Sequence, residues 1–200
     1  KGSAHITIPA NNNQYAIEIG KIAWDVQRSR LLTGELRAEI SWNDATPFWL
    51  SIDPTRAHIE HANISLPSSI IGKLTPAMAA ANLGGTINLH CNNLSITSQQ
   101  ILGAFELDWV NVSSPLSTLN PIGSYHINFT GRGESLLINL QTSGNGPLFI
   151  EGNGNVDSNH LLHFNATAKA QPEHEQALKQ LLQIMGNETP VGSGNFKITF

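Results

Sequence analysis

The chain predicts a mainly β fold: a long, curved antiparallel sheet with one wet face and one buried face. Glycine-led segments of period-two hydropathy recur at residues 34–42, 103–109, 123–129 and 194–200. Successive side chains of a strand point to opposite faces, so such segments line one face with apolar groups and the other with polar ones. Turn signals separate the runs, among them Asp53-Pro54-Thr55, Gly131-Arg132-Gly133 and Ser143-Gly144-Asn145-Gly146, as antiparallel hairpins require. Helical spacing is confined to short stretches between strand runs.

In chain order, strands are expected near 4–8, 15–27, 31–42, 47–53 and 56–66. Apolar residues change phase around Gly20 in the second run, which marks a bulge. A helix follows, with Thr75 as N-cap and Pro76 at the first position, where its missing N–H costs nothing. Ala77 to Ala81 favour helix and Gly84 can end it; a helix this poor in charge is expected against a sheet face. Strands resume near 85–91, 93–97, 103–110, 122–131, 134–142, 147–157 and 160–168. Single helical turns are expected at 98–102 and at 113–120, the second with Ser114 as cap and Pro115 following. The clearest helix runs over 173–185, where Leu178, Leu181, Leu182 and Met185 form one stripe. Pro172 precedes it, Glu173 and Glu175 suit its N-terminal dipole, and Gly186 and Pro190 stop it. A closing strand covers 194–200.

Two or three short helices are thus expected on the concave side of the sheet, which is either open or folded on itself into a sandwich or half-barrel. One domain spans 1–200. Its portions 1–83 and 84–200 share a loose order of strands, a Pro-capped helical segment and more strands, which leaves an internal duplication open. No fixed period marks a solenoid or propeller.

Composition narrows the function. Charged residues make up 13% of the chain, about half the usual share of roughly 25%, and net charge is -4. Lysines and arginines form no cluster along the sequence, so a nucleic-acid partner is not expected. Nothing basic and amphipathic points to adsorption on an anionic bilayer. Cys91 is the single cysteine; it shares an alternating apolar face with Ile87 and Leu89 and reads as a small core residue. No run of about 18 apolar residues is present to cross a membrane as a helix. The abrupt start at Lys1, nearly inside a strand, reads as a trimmed one, compatible with a removed N-terminal anchor.

No catalytic constellation emerges. His58-Ile59-Glu60-His61 and His160-Leu161-Leu162-His163 have the spacing His-x-x-His, but on strands those histidines point to opposite faces; His58 and Glu60 share a face, and two ligands leave a zinc site incomplete. There is no Gly-x-Ser-x-Gly elbow, dinucleotide fingerprint or phosphate loop. Asp108 and Glu106 share a strand's polar face and are read as facing water. Asn-x-Ser/Thr occurs at Asn63, Asn93, Asn111, Asn128, Asn165 and Asn187, read as plain polar strand faces. Trp42 and Trp109 each end an alternating run on its apolar side and are core anchors; lining for a hydrophobic groove is the alternative. No residue is assigned to catalysis, a metal or a cofactor, and the partner-binding surface is not assigned.

Several motifs in order resemble the type II secretion system protein N family. They are Leu102 to Trp109, then Leu119-Asn120-Pro121-Ile122-Gly123-Ser124-Tyr125, and the tail Ala177 to Gly186 followed by Gly194-Asn195-Phe196-Lys197-Ile198. Gly2-Ser3-Ala4 and the Trp24-containing segment from Gly20 to Val26 also fit. The resemblance implies a Gram-negative inner-membrane protein with one N-terminal anchor and a periplasmic β domain. It implies a non-enzymatic accessory component whose partners are other secretion-system subunits. It brings no catalytic residue and no cofactor. The alternatives are a periplasmic carrier of lipid or another apolar ligand, held in a hydrophobic groove, and a hydrolase acting on a wall polymer.

Overall fold

The structure is a computed structural model that describes residues 1–9, 16–73, 76–159 and 161–199. The strands are β1 (Gly2–Pro9), β2 (Ala16–Val26), β3 (Leu36–Trp42), β4 (Phe48–Ile52), β5 (Arg56–Pro67), β6 (Gly84–Thr97) and β7 (Ile101–Ser113). They continue as β8 (Gly123–Gly133), β9 (Ser135–Thr142), β10 (Leu148–Val156), β11 (Leu162–Ala170), β12 (Asn187–Glu188) and β13 (Asn195–Thr199). The helices are α1 (Arg28–Leu31), α2 (Pro76–Ala81) and α3 (Glu175–Met185), with 3-10 turns at Ser68–Lys73 and Pro172–His174.

All thirteen strands belong to one sheet, in which sequence neighbours pair antiparallel; only β13 departs, inserting between β11 and β12. The mainly β expectation is met, and the sheet is open, with β1 and β12 as its edges. Twisted sheets beyond about ten strands tend to curl, and here β2 reaches past β3 and β4 to touch β5. The meander gives the sheet two dissimilar ends. Turns β2–β3, β4–β5, β6–β7, β8–β9 and β10–β11 share one end, the hairpin end; α2, the 114–122 loop and α3 leave from the other, the helical end.

Register aligns the apolar residues into rows across the strands. Ile64, Leu89, Leu107, Ile127 and Leu140 sit side by side from β5 to β9. The next row toward the hairpin end holds Ala62, Cys91, Phe105, Phe129 and Ile138, with the Phe105 and Phe129 rings stacked at 4.4 Å. Keeping these rows on one face requires phase changes, because an extra residue turns every later side chain over. In β6 the apolar positions run Ile87, Leu89, Cys91 and then Leu94, with a bulge between Cys91 and Asn93. In β5 they run Ala57, Ile59 and then Ala62, Ile64, with His61 at φ +57° between them. In β7 the switch lies between Trp109 and Val112, at Asn111 with φ +54°. Asn and His tolerate the left-handed region better than most residues.

The apolar face carries two clusters. The larger joins β6 to β13 with α2 and α3: Leu178, Leu181 and Leu182 of α3 pack with Trp109, Tyr125 and Leu148. The smaller, around Ala38, Ile40, Phe48, Ala62, Cys91 and Leu94, belongs to β3–β6 and includes no helix residue among the described ones.

Several local expectations are corrected. The run 31–42 is not one strand: Arg28–Leu31 is helical, Gly34 turns the chain at φ +79°, and β3 starts at Leu36. Helix α1 buries no residue, so it does not pack on the concave side. The segments 85–91 and 93–97 are one strand, β6, broken in phase by its bulge. Residues 98–102 form no helical turn; Thr97 N–H bonds to Gln100 O across a tight hairpin, and Ile101 and Leu102 are already in β7. Residues 113–120 form no helix: Ser113 ends β7, and turns and bends follow over 114–120. There the Ser114 hydroxyl accepts from Leu116 N–H and donates 2.6 Å to Ala81 O, satisfying a C-terminal carbonyl of α2. Helix α2 ends at Ala81, with Asn82 at φ +44°, and Gly84 opens β6 instead of capping it. The short strand β12 had no sequence signal. The expected cap Thr75 lies outside the described residues, as do Tyr15, His160 and Phe200.

Candidate functional site

Two edges, two faces and one cavity are the features on which a function can rest. The edges differ. Strand β1 pairs with β2 over eight residues, including a bulge between Ile6 and Thr7 that matches the phase change expected at Gly20. Among the described residues its other side has no partner strand. At the opposite edge β12 is two residues long, and Gly186 lies so close to the Lys197 carbonyl that a side chain there would collide with it. Short, covered edges resist further pairing, whereas long uncovered ones invite it.

The apolar face bears a small cavity of about 80 Å³ between the helices and the sheet, lined by residues including Ala81, Leu83, Trp109, Phe164, Met185 and Ile198. Its polar atoms are already engaged. Trp109 Nε1 donates to Gly84 O at 3.2 Å, and the Tyr125 hydroxyl donates to Leu148 O at 3.1 Å. Burial pushes the Tyr125 hydroxyl well above its ordinary pKa, and it raises the Cys91 thiol too. Trp42 and Trp109 are buried on this face as expected; Trp42 Nε1 donates to Ser65 O at 2.9 Å.

The opposite, bare face is polar and carries two side-chain networks, the first of which the sequence did not announce. Asp108 lies between two histidines on neighbouring strands, 2.7 Å from His126 Nδ1 and 3.7 Å from His90 Nε2. His90 Nδ1 is 2.7 Å from Asn63 Oδ1. Register makes this network: His126 pairs with Asp108, and Asn63 with His90. No hydroxyl or thiol among the described residues is hydrogen-bonded to either ring. The second network joins Arg37 to Glu60 at 3.3 Å and His58 to Glu60 at 3.2 Å, with the Arg37 guanidinium 4.8 Å over the Trp49 ring. His58 and Glu60 thus share a face, as their spacing predicts. A shallow polar depression of about 650 Å³ also lies on the bare face, lined by Asn139, Asn153, Asn165 and neighbours.

What these parts define is an open antiparallel β scaffold with one long edge, one short edge and an apolar face partly covered by helices. Comparison with known families supplies the kind: the family model for type II secretion system (T2SS) protein N matches residues 1–199, and the chain belongs to that family. It is therefore a component of the type II secretion system. No curated protein and no solved structure matches the chain.

Proposed function

We propose that the protein is a non-enzymatic accessory or assembly component of the secretion machine, held at the periplasmic side of the inner membrane by a single N-terminal anchor. It recruits another subunit by strand addition to β1. The observation that carries this reading is the contrast between the eight-residue β1 edge and the two-residue β12 edge. An extended segment laid along β1 satisfies its backbone groups without any prior rearrangement, which is the cheapest form of peptide recognition. The one-domain organisation over 1–200 suits such a scaffold.

Site-specific photo-crosslinking tests it. A photoreactive residue at Ser3 or Thr7 in the full-length protein, in cells secreting actively, should give an adduct with another secretion subunit. The same residue at Gln141, on the bare face, should not. Adducts at Gln141 alone, or none at Ser3 and Thr7, overturn the proposal.

A further inference from the structure

We propose that the segment added to β1 is anchored by Trp24: it is a short amphipathic strand that sets a large aliphatic side chain beside Gly2 and alternates its apolar residues with polar ones that include no carboxylate. This rests on the reading of β1 as a recruiting edge and specifies what that edge selects.

The edge sets the length. From Gly2 to Ile8, β1 contains no lysine, arginine, carboxylate or proline, the residues with which natural edge strands repel a neighbour. Such residues stand at its limits: Lys1 precedes the run, and Pro9 has no N–H to offer. The bulge in the β1–β2 ladder leaves β1 itself regular, because the extra residue, Ile19, belongs to β2. The template is therefore about 23 Å of uninterrupted strand.

The two sides of that strand differ. Gly2, Ala4 and Ile6 lie opposite Trp24, Ile22 and Gly20, on the apolar side of the sheet, and Ser3, His5 and Thr7 lie on the bare side. A Cβ added to Gly2 would fall 2.5 Å from Trp24 Cζ2, so the indole lies across the glycine and overhangs the edge. Trp24 stays 36% exposed. Its Nε1, unlike those of Trp42 and Trp109, donates to no acceptor among the described residues.

A like arrangement one strand further in is complete. Trp42 of β3, paired with Ile22, leans across Gly20 of β2, where a Cβ would stand 2.7 Å from its Cζ2. Beyond Gly20 comes its register partner in β1, Ile6. Trp42 is 8% exposed, and its indole N–H is bonded to Ser65 O. Trp24 has the glycine but no strand beyond it. An added segment supplies that strand, and its residue beside Gly2 stands to Trp24 as Ile6 stands to Trp42. Tryptophans enclosed on association are among the strongest interface anchors.

The bare side selects against acids. Lys1 is paired with Asp25 at 3.0 Å and Lys21 with Asp44 at 3.1 Å, so neither lysine is left for a carboxylate of the incoming strand. Glu18 is the register partner of Thr7, and like charges on neighbouring strands are destabilising. Hydroxyl and amide side chains fit beside Ser3, His5 and Thr7.

The test uses the purified protein and three fluorescein-labelled peptides. The alternating peptide Thr-Leu-Ser-Ile-Thr-Leu-Asn should bind saturably in fluorescence polarisation. A peptide of the same composition with its apolar residues contiguous, and an alternating one with glutamate at the polar positions, should each bind about tenfold more weakly. Trp24→Ala should weaken the first peptide about tenfold, and Trp24→Phe, which keeps a ring over Gly2, should weaken it less. Because Trp24→Ala can also disturb β2, hydrogen exchange on the wild-type protein gives the second measurement: the alternating peptide should slow exchange at the outward N–H groups of β1. No binding by the alternating peptide, equal binding of all three, wild-type affinity in a folded Trp24→Ala variant, or slowed exchange away from β1 would each overturn the proposal. If photo-adducts still form at Ser3 and Thr7, such a result removes the pattern and leaves strand recruitment standing. The expected peptide results without adducts keep the pattern and remove a secretion subunit as its source.

Discussion

The two apolar clusters sit on one face of one sheet, yet they are finished differently. Around α3, Leu178, Leu181, Ile122 and Leu148 have no exposed surface. In the β3–β6 cluster the most deeply buried residues are Ala62 and Cys91, both small, and the large side chains at its margin stay partly wet. A lone sheet cannot bury its apolar face without a second layer. Helices α2 and α3 supply that layer to one region, whereas the other has only its own curl, seen in the contact of β2 with β5. The better-packed region therefore carries more of the stability, and the other leaves Leu36, Ile52 and Ile96 more than a third exposed at its margin. Each fully enclosed leucine of α3 contributes about 1.5–3 kcal/mol by burial.

Substitutions that differ only in region put this contrast at risk. Leu181→Ala, in the covered cluster, should cost about 2–5 kcal/mol in chemical denaturation, through lost burial and the cavity left behind. Gly103→Ala probes the seam between the regions. Gly103 has φ +116° and faces the Asn93 carbonyl where β6 is bulged, so a methyl group there collides with backbone. It should cost about 1–3 kcal/mol by the same measurement. Ile52→Ala, at a position 40% exposed in the uncovered region, should cost less than about 1 kcal/mol. Should Ile52→Ala prove as damaging as Leu181→Ala, the two regions are equally packed and the contrast fails.

The smallest effect is acid sensitivity, which both regions should share. Asp53 is held below the ordinary carboxylate range chiefly by the Thr55 hydroxyl, and Asp157 chiefly by the Leu161 N–H. Each caps a hairpin-end turn. A carboxyl depressed on folding adds stability above its unfolded pKa of about 3.9, and that stability is lost as pH falls through the lower folded value. Thermal midpoints should therefore drop below about pH 4, and Asp53→Asn or Asp157→Asn should each flatten the drop. An unchanged acid slope in both variants would remove these turns from the account.

Much of the fold was legible because its signals are local. Period-two runs predicted β4, β5 and β8 to β11 within a few residues, and the leucine stripe with Pro172 and Gly186 predicted α3. The misreadings have physical causes. One residue at Asn92 flips the phase of β6, so a continuous strand reads as two. Arg28–Leu31 lacks any apolar stripe, and its helical turn buries nothing that could signal it. Ser114 looks like an N-cap, but its hydroxyl is spent on the last carbonyl of α2. The Asp108 network lay outside sequence reach because its members come from β5, β6, β7 and β8 and meet only through register.

By itself the amino-acid order determined the antiparallel sheet, its two-faced character and the helix that closes it, since backbone pleat and helical pitch convert local periodicity directly into faces. Which rows of that apolar face are covered was decided only in three dimensions. So was the difference between a long edge and a blunt one. These depend on where α2 and α3 fold back and on the parity of the turns, and both arise from contacts between residues far apart in the chain.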